Sequence, residues 1–221
     1  MSFLRAITRA PRPRLYSSTA LPSVCPVCHT PLPTRLPACP KCFHISPIDS
    51  SHNFYEILNV PSRPNPFVLN LPSLKASFRQ AQRSVHPDVW AVHGQDKADI
   101  ARNLSSKVNS AYNTLLSPLS RIQYILKQRG FAVGETDQLE DPELIEEIME
   151  AREALEEAEA QSDVDVIRED NSKRISATIQ DIEAAVASED WETAKRGAVR
   201  LKYLQGIDDA AHAWPDPPFD H

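Results

Sequence analysis

Four cysteines have the types and spacing of a metal cage. All of the chain's cysteines fall in Cys25-x-x-Cys28 and Cys39-x-x-Cys42, both pairs in the form Cys-Pro-x-Cys, with ten residues between the pairs. Two thiolates two residues apart close on one ion, and two such knuckles complete a tetrahedron. The spacing therefore predicts a structural metal site, with zinc as the expected ion and iron left open by the ligand set. Four protein ligands leave no open position for catalysis. A disulfide framework is the competing reading of the same cysteines, and a reducing compartment disfavours it. A redox Cys-x-x-Cys would leave one pair unexplained, and neither pair lies in a βαβ pattern. A segment this small and Pro-rich cannot fold on core burial alone, whereas zinc coordination supplies roughly 10–16 kcal/mol in isolated finger peptides. His29 and His44 adjoin the knuckles and are expected as exposed loop residues.

The second candidate is the tripeptide His86-Pro87-Asp88. Upstream, Leu74, Phe78, Ala81 and Val85 recur at three- and four-residue steps, one apolar helix face. Lys75, Arg79 and Arg83 recur every four residues on the opposite side, a basic stripe facing solvent. Pro87 cannot continue that helix, which places His86 and Asp88 on the loop that follows. A second pattern begins near Asp96, with Ile100, Leu104, Val108, Ala111 and Leu115 on one face. The expected product is a helix hairpin with a polar tripeptide at its tip. No nucleophile or metal partner accompanies His86 and Asp88, so the reading is a docking element and the chain is not expected to be an enzyme. The hairpin resembles a J-domain, the module that activates the ATPase of DnaK-type heat-shock chaperones.

The elements around these residues are helical. The chain has 221 residues and 41% hydrophobic content, enough for one large or two small domains. Only 5 glycines argue against a turn-rich all-β fold. A net charge of −6 makes sequence-independent nucleic-acid binding a poor fit. No apolar run approaches a membrane span, so no membrane partner is expected. Thirteen of the 19 prolines lie in residues 1–72, which excludes a helical domain there. A short helix is expected at Phe54–Leu58, then helices at about 73–85, 96–116 and 118–129, the last stopped by Gly130. Pro142 suits a helix first turn and opens one running to about Ala160. Two more follow at about 165–187 and 190–210, and the three read as a bundle. The fold class is all-α: a knuckle module over 21–48, a J-type hairpin over 52–134 and a three-helix domain over 140–213. The Pro-rich connector is expected to add little to the downstream cores.

The two ends differ in charge. The first 48 residues hold no Asp or Glu, while Glu135–Asp170 holds sixteen acidic residues against Arg152 and Arg168 alone. Residues 1–20 carry Arg5, Arg9, Arg12 and Arg14 among Phe3, Leu4, Ile7 and Leu15, with Ser17, Ser18 and Thr19 following. Basic, hydroxylated and acid-free is the pattern of a mitochondrial presequence, which predicts the matrix as the location. On the 142–160 helix, Ile145, Met149 and Arg152 follow one stripe and Ile148, Ala151 and Leu155 another, with Glu146, Glu150, Glu153 and Glu157 between them. Such a helix packs by one edge and presents the other.

Longer stretches carry a more specific resemblance. They are Phe54-Tyr55-Glu56-Ile57-Leu58, Val108-Asn109-Ser110-Ala111-Tyr112, Pro118-Leu119-Ser120-Arg121-Ile122-Gln123-Tyr124-Ile125-Leu126, Met149-Glu150-Ala151-Arg152-Glu153 and Arg200-Leu201-Lys202-Tyr203-Leu204. From Phe54 to about Trp214 the chain is similar to the HscB-like (Jac-type) J-domain co-chaperones of iron–sulfur cluster biogenesis, some of which carry an N-terminal tetracysteine module. The resemblance implies two partners: a mitochondrial DnaK-type chaperone, docked through Lys75, Arg79, Arg83, His86, Pro87 and Asp88, and an IscU-type cluster scaffold. The positions matching the family's scaffold contacts are Ile145, Met149, Glu150, Glu153, Glu157 and Tyr203. Glu146 stands where an apolar contact is expected, and Val89 where a Lys is common. Two rivals predict other partners. A general J-domain co-chaperone would bind denatured clients, and a zinc-ribbon nucleic-acid binder would need a basic, aromatic surface, of which the module offers Arg35, Lys41 and Phe43.

Overall fold

The computed structural model describes residues 21–49, 51–134 and 142–215, so the presequence reading of residues 1–20 lies outside them. Among the described residues, eight helices run in the order α1 Phe54–Ile57, α2 Leu71–Val85, α3 Pro87–Ala91, α4 Gln95–Leu116, α5 Pro118–Arg129, α6 Pro142–Glu156, α7 Gln161–Ala187 and α8 Trp191–Ala213. Among the described residues the only β structure is two isolated antiparallel bridges, Val24 with Pro31 and Ala38 with Ile45.

Several helix starts follow side chains that satisfy otherwise unpaired backbone N–H groups. Asn53 and Glu56 form a reciprocal capping box on α1. Asn70 Oδ1 accepts from Ser73 N at 2.9 Å at the start of α2, and Asp190 Oδ1 from Thr193 N at 3.1 Å at the start of α8. Gly130 ends α5 in the left-handed conformation, φ 87°. Two boundaries differ most from the periodicity. α6 stops at Glu156 rather than Ala160, and α7 begins at Gln161 rather than 165. One carboxylate accounts for both shifts: Asp163 Oδ2 accepts from Ala160 N at 3.1 Å and Glu159 N at 3.3 Å, opening α7 early and ending the continuation of α6.

The apolar residues sort into three clusters. In the first, Leu74, Ala81 and Val85 of α2 meet Leu104, Val108, Ala111 and Leu115 of α4, with Tyr55, Leu58 and Trp90. Gln82 ties the pair from the side, donating to Asn109 Oδ1 at 2.6 Å and accepting from Ser105 Oγ at 2.9 Å. The second cluster joins Ile122, Ile125 and Leu126 of α5 to Ile182 and Val186 of α7 and Ala194, Ala198 and Leu201 of α8. The third is the far end of the bundle: Leu144, Ile148 and Leu155 of α6, Val164 of α7 and Leu204, Ile207 and Ala211 of α8. α7 and α8 pack closely at Gly197, where a Cβ would fall 2.6 Å from Ile182 Cγ1.

The Pro-rich connector is a structural part of the molecule, contrary to the expectation from composition. Phe67 is buried in the second cluster, and Asn65 Nδ2 donates to the Glu183 carbonyl of α7 at 2.9 Å. Tyr55 Oη donates to the Pro66 carbonyl at 2.7 Å. Arg121 is the pin. Buried on α5, it donates to the carbonyls of Leu115 at 2.7 Å, Phe67 at 2.7 Å and Leu116 at 3.2 Å. Among the described residues no carboxylate pairs with it; burial lowers its pKa, and three carbonyl dipoles solvate the cation. Arg121→Ala would strand those carbonyls, each worth about 1–3 kcal/mol when buried and unpaired. The variant should lose about 3 kcal/mol or more in denaturant unfolding, and a surface change such as Arg102→Ala should lose under about 0.5 kcal/mol.

Candidate functional site: a thiol cage, a hairpin tip and a bundle edge

The two knuckles repeat one backbone. Cys25 N donates to Thr30 O at 2.9 Å and His29 N to Cys25 O at 3.0 Å; the counterparts are Cys39 N to His44 O at 2.9 Å and Phe43 N to Cys39 O at 3.2 Å. Each turns through a left-handed residue, His29 at φ 57° and Phe43 at φ 55°. This brings the Sγ atoms of Cys25, Cys28, Cys39 and Cys42 within 4.8 Å of one another, with Cys25–Cys42 at 3.5 Å and Cys28–Cys39 at 3.6 Å, and all four cysteines are free of disulfides. A tetrahedral ion with sulfur at about 2.3 Å requires sulfur–sulfur edges of about 3.8 Å, so the four residues fit a metal ion. The Thr30 hydroxyl, 3.4 Å from Cys28 Sγ, and the Thr30 backbone hold the Cys28 thiol down at about 6, and burial pushes Cys42 up to about 12. Binding an ion here releases protons, so affinity rises with pH. An ion held there would offset the mutual repulsion of the thiolates and pin the two knuckles together.

The module sits on the hairpin. Leu36, Ala38, Ile45 and Ile48 belong to the first cluster. Gln80 donates to the Pro33 carbonyl at 2.7 Å, Lys107 to Ile48 O at 2.6 Å and Lys97 to Phe43 O at 2.7 Å, while Thr34 and Ser84 hydroxyls lie 3.3 Å apart. These contacts were not legible in the cysteine spacing. The hydrophobics Leu36, Ile45 and Ile48 were the available signal, since a knuckle with no helix of its own has few other places to bury them.

At the tip, His86-Pro87-Asp88 is not an irregular loop. Pro87 ends α2 but suits the first position of a new helix, and the chain enters α3 directly. His86 is the N-cap, its Nδ1 accepting from Asp88 N at 3.3 Å. Asp88 lies in the first turn, where a carboxylate is favoured. His86 and Asp88 are exposed, and so are Lys75, Arg79 and Arg83 along α2. Trp90 is buried and its Nε1 donates to Ser84 O at 3.0 Å, folding α3 back onto the end of α2.

On the bundle, α6 divides as its stripes predict. Ile148 and Leu155 are buried, while Ile145 is 40% and Met149 66% exposed. Glu147 faces α7, where Arg174 Nη1 meets it at 2.9 Å. The Ile145–Met149 edge is on the other side of the helix. Tyr203 of α8 is half-buried against the cluster that holds Leu144 and Ile148. Its packing is closer than that of a fully outward side chain. Glu150 and Glu153 are exposed beside Met149, as is Glu146, which narrows the apolar edge. Glu157 lies one residue past the end of α6, its N–H donating to Glu153 O at 2.9 Å.

Comparison with known proteins follows the same division. Residues 140–212 match the family model described as the HSCB C-terminal oligomerisation domain. The human iron-sulfur cluster co-chaperone protein HscB is 30% identical over 172 residues, covering 77% of this chain and 72% of that protein. The J-type co-chaperone jac1, mitochondrial, of Schizosaccharomyces pombe is 33% identical over 177 residues, 77% of each chain. The crystal structure of human co-chaperone protein HscB superposes with a TM-score of 0.74 at 30% identity, over 86% of this chain and 96% of that one. A hairpin with an exposed tripeptide at its tip and a bundle with an amphipathic edge, joined through Phe67 and Arg121, is an arrangement this chain shares with these co-chaperones. The likeness runs through hairpin and bundle together, and the chain belongs to the HscB/Jac1 family of iron–sulfur cluster co-chaperones.

Proposed function

We propose that the chain couples an IscU-type scaffold to a mitochondrial DnaK-type heat-shock chaperone in the matrix, with a zinc ion in the four-cysteine module. The bundle holds the scaffold along Ile145, Met149 and Tyr203, rimmed by Glu150, Glu153 and Glu157. The hairpin docks the chaperone through Lys75, Arg79, Arg83, His86, Pro87 and Asp88 and accelerates its ATP hydrolysis. The chaperone then clamps the presented scaffold and promotes cluster transfer. The observation that carries this reading is the exposure of two separate surfaces on one braced frame: the capped tripeptide opening α3, and an aliphatic edge on α6 that the bundle core does not use. Coupling of two bound partners requires such a frame.

The scaffold surface is tested by isothermal titration at two salt concentrations. Apolar anchors dominate protein interfaces, each costing about 2 kcal/mol or more on truncation, while rim charges act chiefly on association rate and salt dependence. Met149→Ala combined with Tyr203→Ala should therefore weaken scaffold binding by about 30-fold or more. Glu157→Ala should change it by less than about threefold, the change shrinking at the higher salt. Normal binding by the double variant would remove this surface from the account, and preferential binding of reduced, denatured proteins would favour the general co-chaperone reading.

A further inference from the structure

The hairpin's exposed surface does not end at Asp88. α3 turns Trp90 inward and leaves Val89 54% exposed, and Val92, which caps its C-terminus, is 82% exposed. Neither valine joins a core cluster. His93, directly after Val92, stacks on Phe43 with ring centroids 3.9 Å apart and planes at 25°. Phe43 follows the ligand Cys42 and is itself 38% exposed. Its carbonyl is held by Lys97 at 2.7 Å, at the start of α4. Val89 thus adjoins the tripeptide in sequence, and Val92 adjoins the ring that stacks on the second knuckle.

Single exposed aliphatic residues are ordinary on a protein surface. These three are set apart by position: Val89 follows Asp88, Val92 precedes the ring stacked on Phe43, and Phe43 belongs to a second module seated on the hairpin. The charge around them has one sign on the knuckle side. Residues 21–48 contain no carboxylate, and Lys41 is exposed beside Cys42. The surface that complements these residues is apolar with an acidic margin, the same margin that the α2 stripe of Lys75, Arg79 and Arg83 requires.

We propose that α3 and the second cysteine knuckle form one docking surface for the DnaK-type chaperone, with Val89, Val92 and Phe43 as its apolar part and Lys41 at its basic edge. The inference rests on the reading that the hairpin docks such a chaperone. It makes the cysteine module part of the partner surface: an ion held by the four thiols would fix Cys42 and, with it, Phe43.

The test uses the full-length, metal-loaded protein titrated into the mitochondrial chaperone's steady-state ATPase assay. Val92→Asp should raise the concentration for half-maximal stimulation about tenfold, equivalent to about 1.4 kcal/mol of docking. Phe43→Ala should raise it several-fold, and Val166→Asp, at an exposed valine on α7, should leave it unchanged. Stimulation at saturation should be retained in all three, because His86, Pro87 and Asp88 are intact. Metal content and helical circular dichroism show whether Phe43→Ala keeps its module; Val92 touches no core, so its variant stands independently. Unchanged half-maximal concentrations in both Val92→Asp and Phe43→Ala would overturn the proposal. Reduced maximal stimulation with an unchanged half-maximal concentration would overturn it as well, assigning these residues to alignment of the tripeptide. A wild type that fails to stimulate would instead refute the chaperone reading, and this surface with it.

Discussion

Changing His86 to Gln should abolish stimulation of the chaperone's ATPase, a drop of at least about tenfold at any concentration of the protein. Far-UV circular dichroism should keep its helical signal. His86 is exposed and outside every apolar cluster, so its loss creates no cavity. It does remove the cap of α3, since Nδ1 is the acceptor for Asp88 N and Gln is a poor N-cap. α3 has five residues, so its fraying is a small part of the total helix. What changes is the geometry of Pro87 and Asp88, held by that cap and by Trp90 on Ser84. Unaltered stimulation would remove the hairpin tip from the mechanism. A broad loss of helicity would assign His86 a structural role.

The second large effect concerns the ion. Protein purified under reducing conditions should carry one zinc per chain by elemental analysis, and Cys39→Ser should lose it. Zinc contributes roughly 10–16 kcal/mol in isolated finger peptides, more than a module of this size recovers from burial. Because Leu36, Ala38, Ile45 and Ile48 share a core with Leu74, Val85 and Trp90, the loss should spread into the hairpin. Hydrogen exchange should rise in residues 21–49 and also in α2 and α3, while the cluster of Leu144, Ile148, Leu204 and Ile207 keeps its protection. A metal-free protein with two disulfides after anaerobic purification would contradict the zinc site. Increased exchange confined to residues 21–49 would show that the shared core contributes little to the hairpin.

Much of this architecture was legible in the sequence, because it rests on periodicity and on a few punctuating residues. Leu74, Ala81 and Val85, and Leu104, Val108, Ala111 and Leu115, are buried as their spacing predicts. Pro118, Gly130 and Pro142 mark true helix boundaries. Four cysteines at that spacing converge on one cage. What periodicity does not carry is tertiary. The start of α7 depends on one Asp163 carboxylate reaching back to Ala160 and Glu159, which no apolar pattern encodes. The helical state of Pro87–Ala91 is hidden because Pro reads equally as the stop of one helix and the start of the next. Phe67 follows Pro61, Pro64 and Pro66 in a segment without helical or strand periodicity, yet it enters the bundle core beneath Arg121. Arg121 itself reads as a surface cation until three carbonyls are found around it. The seat of the metal module on the hairpin likewise follows from contacts between residues some fifty positions apart, such as Gln80 with Pro33.

The central claim is that one chain presents a folded cluster scaffold to a chaperone. It is tested most directly by the chaperone's steady-state ATPase rate with the protein alone, the scaffold alone and both together. The account predicts a rate with both that exceeds the sum of the separate increments. Met149→Ala with Tyr203→Ala should remove the excess while leaving the protein's own increment intact. A rate with both equal to that sum, or an equal excess when a reduced, denatured protein replaces the scaffold, would contradict it.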